Sequence, residues 1–494
     1  MKDFTGNTPR LGLPLAVTCV AQFVVVLDVT IVTTALPVIR SSFGSSANSL
    51  QWIITGYTLA FGGLLITGGR LADLIGPRRT FLAGLVMFTT ASGACALAWC
   101  QAALIGARVV QGMGSALLSP AALALLSVIS SPGAARRRAV GWWTAAAATG
   151  GASGWLLGGV LTEYLSWRAV FWVNLPIGIA TSLVAMRVLP AGHRTSGRRL
   201  DLLGSIAVTG ALALLVYGLS RMPSSSVTSP ASWIPILLAA VGLGLVVRHE
   251  RRITDPLVPQ WLFRSRPAAG ANLTALLITA TTTPAMYLAT LYVQQQLHLG
   301  PARASLLFPA FNIAVIGGST LGPYLLRRLD ARPTLVSGFI GIATGAMVLT
   351  TLHGTDGATA KLLASFAVMG LGLGAASVAS THTGTEAVDH VDRGAAAGVL
   401  TAAAQIGTAI GLALITPLAA SGATVGGYRL GFTGVALLAT AGVLLSLLIP
   451  RRANWTAKDR GRALRASKIS QSATSNAVVS SEGPATTGRA GSRP

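Results

Sequence analysis

The chain has 494 residues, of which 52% are hydrophobic and only 10% charged, whereas soluble globular chains carry about 25% charged residues. So few charges do not cover a soluble surface, which excludes a soluble domain and points to surface that faces lipid. The net charge of +23 would suit a nucleic-acid binder, but the Lys and Arg sit in short stretches between apolar runs, as they do in membrane loops.

A bilayer span needs roughly 20 apolar residues to cross about 30 Å of hydrocarbon. Runs of that kind predict spans at 12–34, 50–70, 80–99, 102–125, 138–162, 168–189, 202–221, 233–248, 270–293, 303–326, 334–352, 361–382, 394–418 and 429–449. Backbone in lipid must satisfy its own hydrogen bonds, so these spans are helices. The short alternating segments of a transmembrane barrel are missing. The reading is an all-α polytopic membrane protein crossing the bilayer fourteen times, with the short run at 233–248, near Pro235, as its weakest span.

The charges orient these spans. With a cytoplasmic N-terminus, the inner loops hold Arg70, Arg78 and Arg79; then Arg136, Arg137 and Arg138; then Arg187, Arg194, Arg198 and Arg199. They continue with Arg248, Arg251, Arg252, Arg264 and Arg266, then Arg327, Arg328 and Arg332, then Arg393. Outer loops hold one cation or none. Positive charge is retained on the cytoplasmic side, and an error in the count would break the alternation. Both termini are therefore expected in the cytoplasm. The polar tail after Arg451 lacks apolar periodicity and reads as disordered. Three cysteines, Cys19, Cys95 and Cys100, lie in or beside apolar runs, and the six histidines fall at span ends or in loops. Neither set has metal-ligand spacing, so no metal and no cofactor is expected. No Gly-x-x-x-x-Gly-Lys-Ser/Thr phosphate loop is present, so ATP hydrolysis is not expected either.

The loop after the second span reads Gly69-Arg70-Leu71-Ala72-Asp73-Leu74-Ile75-Gly76-Pro77-Arg78-Arg79. It resembles the signature loop of the major facilitator superfamily, between its second and third helices. Leu27-Asp28-Val29-Thr30-Ile31-Val32 and Ala35-Leu36-Pro37 resemble the first-helix motif of the fourteen-span drug:proton antiporters. Arg108 with Gln111-Gly112-x-Gly114 in span four is similar to a further motif. Gly141, Gly150, Gly154, Gly158 and Gly159 in span five resemble the exporters' antiporter motif, with Trp155 where the family has Pro. Trp167-Arg168 and Phe171 through Asn174-Leu175-Pro176 extend the likeness into span six. Gly322 to Arg332 resembles a degraded second copy of the signature loop, with Leu326 where the first copy has Asp73.

The resemblance implies a major facilitator fold of two six-helix halves plus two inserted helices. The expected division is a cytoplasmic N-terminus at 1–11, a first half at 12–189, the inserted pair and its loops at 190–269, a second half at 270–449 and a cytoplasmic tail at 450–494. It implies a monomeric, proton-coupled exporter of antibiotics or other organic drugs in the cell membrane, working by alternating access between two states. Its partners are a small organic substrate, protons and the lipid bilayer, with no nucleic acid. The alternative is an importer or symporter of the same fold for a small organic solute, against which the span-five glycines argue. A membrane-embedded enzyme would need an acidic or His cluster near one face, and none is seen in the sequence.

Asp28 carries the most weight, because an ionisable residue inside a span is a functional candidate by default. It lies about 22 Å into the membrane counted from Leu13, and Arg108 lies at a similar depth about 9 Å below the outer face. Burial favours a protonated carboxyl and a nearby cation favours the charged form, so movement of one helix can switch it. Asp28 is expected to gain and lose the transported proton, with Arg108 modulating it. Gly69, Asp73, Gly76, Arg78 and Arg79 are the gating-loop candidates, and Asp73 is expected to meet the helix N-terminus just after Arg393. Trp52, Tyr57, Asn312 and Gln405 are candidates for the substrate cavity.

Overall fold

The computed structural model describes residues 12–131, 134–190, 201–221, 230–250, 252, 265–353, 357–388, 393–420 and 425–449. The expected cytoplasmic segments 1–11 and 450–494, and the loop cations Arg194, Arg198, Arg199, Arg251 and Arg264, lie outside the described residues. The described elements are helices: α1 (Gly12–Phe43), α2 (Ala47–Leu50), α3 (Trp52–Ile75), α4 (Pro77–Ala96), α5 (Gln101–Ile129), α6 (Ala134–Tyr164), α7 (Ala169–Trp172), α8 (Asn174–Val188), α9 (Leu202–Arg221) and α10 (Pro230–Glu250). They continue as α11 (Arg266–Gln295), α12 (Pro301–Ser305), α13 (Pro309–Leu329), α14 (Ala331–Thr350), α15 (Ala358–Glu386), α16 (Arg393–Ala420) and α17 (Val425–Leu448).

Each predicted span falls on one of these helices or, for the sixth and tenth, on a helix broken near its start. The weak run at 233–248 lengthens to the 21-residue α10, which holds Pro235 in its second turn. Twelve segments among the described residues are long and apolar enough to cross a membrane. Helices α4 and α6 fall outside that set because of what their sequences spend on packing. α4 opens on Arg78-Arg79 and α6 near Arg136–Arg138, and both are rich in Gly, Ala, Ser and Thr. Those small residues let backbones approach where burial from water gives little help.

The pairing of helices repeats. In the first set α1 packs on α6, α3 on α5, α4 on α5, and α4 on α8. In the second, α11 packs on α16, α13 on α15, α14 on α15, and α14 on α17. Glycines fix the same register in both. A Cβ on Gly112 of α5 would lie 2.4 Å from the Tyr57 carbonyl of α3, and one on Gly370 of α15 would lie 2.5 Å from the Phe311 carbonyl of α13. Gly114 meets Gly84 and Phe88 as Gly372 meets Gly338 and Ile342.

The turns between α3 and α4 and between α13 and α14 share a left-handed backbone: Gly76 has φ 97° and Asp330 has φ 76°. Aligned on that turn, Arg327 rather than Leu326 occupies the position of Asp73. The second copy therefore reverses the charge, and the one-residue slip in the sequence reading comes from the turn residue, Gly in one copy and Asp in the other.

Helix α9 lies across the seam between α3 and α16. The hydroxyls of Thr67 and Ser205 hydrogen-bond, and Leu59, Leu212, Val216, Ala409 and Ala413 form one apolar cluster. Helix α10 packs on α9 and leaves most of its surface exposed.

Candidate functional site

Asp28, in the middle of α1, has no exposed surface, and Arg108 of α5 is only 1% exposed. The two form an ion pair through Arg108 Nη1 and Asp28 Oδ2. Two amides complete the carboxylate's shell: Gln111 Nε2 donates to Asp28 Oδ1 at 2.8 Å, and Asn174 Nδ2 donates to the same oxygen at 3.0 Å. Every one of these groups is a donor, a set that suits an ionised carboxylate.

Arg108 has other partners as well. Its Nε donates to the Ile53 carbonyl at 3.1 Å, its Nη1 to Gln111 Oε1 at 2.8 Å, and its guanidinium lies 4.2 Å from the centre of the Tyr57 ring. Tyr57 is tied to Ser115 at 2.7 Å. Asn174 also donates to Ser92 Oγ at 3.1 Å, and Ser92 donates to the Phe171 carbonyl. Five helices, α1, α3, α4, α5 and α8, thus converge on one buried ion pair. This placement excludes a role for Asp28 as an interfacial or capping carboxylate.

Gln111 and Asn174 stand in the sequence only as parts of longer motifs. A polar side chain inside an apolar span was the available signal; that both would aim at Asp28 was not readable from spacing.

The glycines of α6 divide into two rows at helical i, i+4, i+8 spacing. Gly150, Gly154 and Gly158 face α1, where a Cβ would come within 2.4, 2.8 and 2.5 Å of the carbonyls of Phe23, Leu27 and Ile31. Gly159 belongs to the other row. It faces Ser305 and Pro301, at 2.4 and 2.5 Å from an added Cβ. Gly141 faces open space, with no atom within 4 Å, so it does not share the packing role expected of the motif. Trp155, where the family has its proline, leaves α6 unbroken through Tyr164. Its indole is buried and stacked on Phe308.

The family model of the Major Facilitator Superfamily matches residues 18–412 and, in a second register, 271–482. The chain belongs to the Major Facilitator Superfamily. It is a multi-span membrane transporter of that superfamily and not an enzyme. It is 38% identical to the cephamycin export protein of Amycolatopsis lactamdurans over 465 residues, 92% of this chain and 95% of that one. It is 35% identical to the puromycin resistance protein of Streptomyces alboniger, over 89% of this chain and 90% of the relative. Among solved structures, a peptide transporter bound to sulfate matches with a TM-score of 0.67 at 16% identity, over 91% of this chain and 95% of that one. A bacterial homologue of the lysosomal transporter Spinster matches with a TM-score of 0.65 at 14% identity, over 90% and 98%. Both share the major facilitator fold.

Within that fold the other candidates scatter. Gly69 sits against Pro120, and Gly76 and Pro77 form the buried turn between α3 and α4. Asp73 is half-buried in the last turn of α3. Its expected target, the start of α16 at Arg393, adjoins 389–392, which lie outside the described residues. Arg78 donates to the Met186 carbonyl at the end of α8, and Arg79 is exposed.

The four cavity candidates do not share a site. Tyr57 is buried beneath Arg108. Trp52 packs 6.3 Å from Tyr217 of α9, ring centre to ring centre. Gln405 presses its Cβ on Gly62 in the α3–α16 seam. Asn312 alone faces α6, with its Oδ1 3.9 Å from where a Cβ on Gly151 would stand.

Proposed function

We propose that the chain is a proton-coupled antiporter that exports antibiotics or other organic drugs by alternating access, with Asp28 as the proton-carrying group. The observation that carries this reading is the fully buried Asp28 held by Arg108, Gln111 and Asn174. A buried ion pair is expensive to maintain in lipid, and here it ties α1 to α5 and α8.

Protonation of Asp28 removes its charge. Arg108 then keeps the Ile53 carbonyl, Gln111 Oε1 and the Tyr57 ring, so the cation is not stranded when α1 lets go. Helix α1 also carries the glycine-packed contact with α6, which makes it the element through which a proton at Asp28 moves the seam between the halves. Drug export as the direction is supported by the relatives, one named for export of cephamycin and two for resistance to puromycin and lincomycin. The proposed arrangement is a monomer of fourteen membrane helices in two six-helix halves with α9 and α10 inserted, and both termini in the cytoplasm.

The test is an imposed proton gradient across everted vesicles from a pump-deficient host, with puromycin, lincomycin and a cephamycin as probes. Asp28→Asn, expressed at the parental level, should lose gradient-driven transport of whichever probe the parent moves. Unchanged gradient-driven transport in that variant would overturn the proton role. Activity that appears only as uptake into intact cells would favour the importer of the same fold.

A further inference from the structure

On the second face of α6, Gly151, Trp155 and Gly159 form an i, i+4, i+8 row aimed at the other half of the molecule. Gly159 presses on Ser305 and Pro301, Gly151 faces Asn312, and Trp155 stands one turn from each glycine along the helix. The indole stacks on Phe308 with ring centres 4.1 Å apart and planes 9° from parallel. Phe308 stacks in turn on Phe366 of α15 at 5.3 Å, and Phe366 meets Phe311 edge-on. Trp155 is 5% exposed and Phe308 has no exposed surface.

The stack closes a seam rather than an ordinary core. Other bridges between α1 or α6 and the second half lie toward the same end. Ala302 N donates to Glu163 at 2.7 Å, and Gln294 Nε2 donates to the Thr34 carbonyl at 3.0 Å. Toward its N-terminus α6 leaves its neighbours. Gly141 has no atom within 4 Å, and Trp142 is 66% exposed. The Trp155–Phe308 pair therefore lies on the closed side of the place where the halves part. A flat stack also separates without breaking hydrogen bonds of its own.

We infer that Trp155 and Phe308 form the outer gate of the transport path, an aromatic plug that must part each time the carrier opens outward. The inference rests on the orientation and alternating access proposed above, but not on Asp28 being the proton carrier. The test uses the full chain carrying Gly151→Cys, one turn below the plug, where an added side chain meets only ordinary contacts, Val26 at 3.5 Å and Asn312 at 3.9 Å. Intact cells are treated with a membrane-impermeant maleimide, and labelling is read at that peptide by mass spectrometry.

In the otherwise parental chain, labelling from outside should be slow. Trp155→Ala and Phe308→Ala should each raise it about fivefold, and Trp155→Phe, which keeps a ring, by less than about twofold. A permeant maleimide and size-exclusion profiles confirm that each variant is folded and that its thiol reacts. Unchanged labelling in both folded Ala variants overturns the gate while leaving the orientation intact. Fast labelling of the otherwise parental chain from outside overturns both.

Discussion

The two repeated halves share a glycine register and differ in what they place on it. In the first half Gly112 packs on Tyr57, and Arg108, one turn earlier on α5, lies over the Tyr57 ring and binds Asp28. In the second half Gly370 packs on Phe311, and Phe366, one turn earlier on α15, meets the Phe311 ring edge-on. An arginine–tyrosine pair is replaced by a phenylalanine pair at the same station. The first half thereby acquires a buried charge whose state a proton can alter, and the second acquires aromatic surface that reaches across the seam through Phe308 to Trp155. Under the two proposals above, one backbone plan would support two tasks, coupling on one side and sealing on the other.

The sharpest way to break this contrast is to remove the charge from one station and the ring from the other. Arg108→Ala leaves Asp28 buried with amide partners only, which should cost about 3–5 kcal/mol. It should show as a large fall in thermal midpoint in detergent and a loss of transport. Adding Asp28→Asn should restore most of the stability but none of the proton-driven transport. Phe366→Leu should cost less than about 1.5 kcal/mol and leave the pH dependence of transport where it is. Loss of proton-driven transport in Phe366→Leu with transport retained in Arg108→Ala would reverse the assignment of the two halves.

A smaller effect isolates the amide shell. Asn174→Ala removes one donor from a charged acceptor, a loss of about 1.5–3 kcal/mol, and should reduce proton-driven transport about tenfold or more while the protein stays folded. Because Asn174 bonds both Asp28 and Ser92, Ser92→Ala serves as the control. If Ser92→Ala and Asn174→Ala behave alike, Asn174 acts through packing of α4 on α8 and not through the carboxylate.

The shared register has its own test. Gly112→Ala and Gly370→Ala each press a methyl into a carbonyl at nearly the same distance, 2.4 and 2.5 Å. Each should cost about 1–3 kcal/mol, the usual range for overpacking, measured as matched falls in midpoint. Tolerance of one and not the other would mean that the two stations are not equivalent. By contrast, Gly141→Ala should be neutral within about 0.5 kcal/mol.

The fold was largely legible because lipid imposes a simple rule: apolar runs of a fixed length, with cations gathered on one side. Asp28 and Arg108 were legible for the same reason, since a charge inside an apolar run has few explanations. Their partners were harder, because Gln111 and Asn174 point at Asp28 only once three helices are placed. The Trp155–Phe308 pair was not legible. An aromatic residue in a span faces lipid, a neighbour or the interface with similar ease, and nothing local to Phe308 marks it. Two of the cavity candidates were hard to place for that reason too: Trp52 packs against Tyr217 of α9, and Tyr57 lies against Arg108.

A small effect probes the turns that align the halves. Gly76 has φ 97° and ψ 142°, and Asp330 has φ 76° and ψ 172°, extended backbone at positive φ that is open to glycine and costs other residues roughly 1–3 kcal/mol. Asp330 offsets part of that cost by accepting a hydrogen bond from Ala331 N at 2.8 Å. Gly76→Ala has no such bond available and should lower stability by about 1 kcal/mol. Asp330→Gly exchanges the bond for relief of the strained backbone and should change stability by less than about 0.5 kcal/mol. Midpoints of the two variants in the same detergent give the comparison. Equal falls would mean that the two loops, despite a common backbone, are held by different forces, and that the second copy depends on Asp330 for more than its turn.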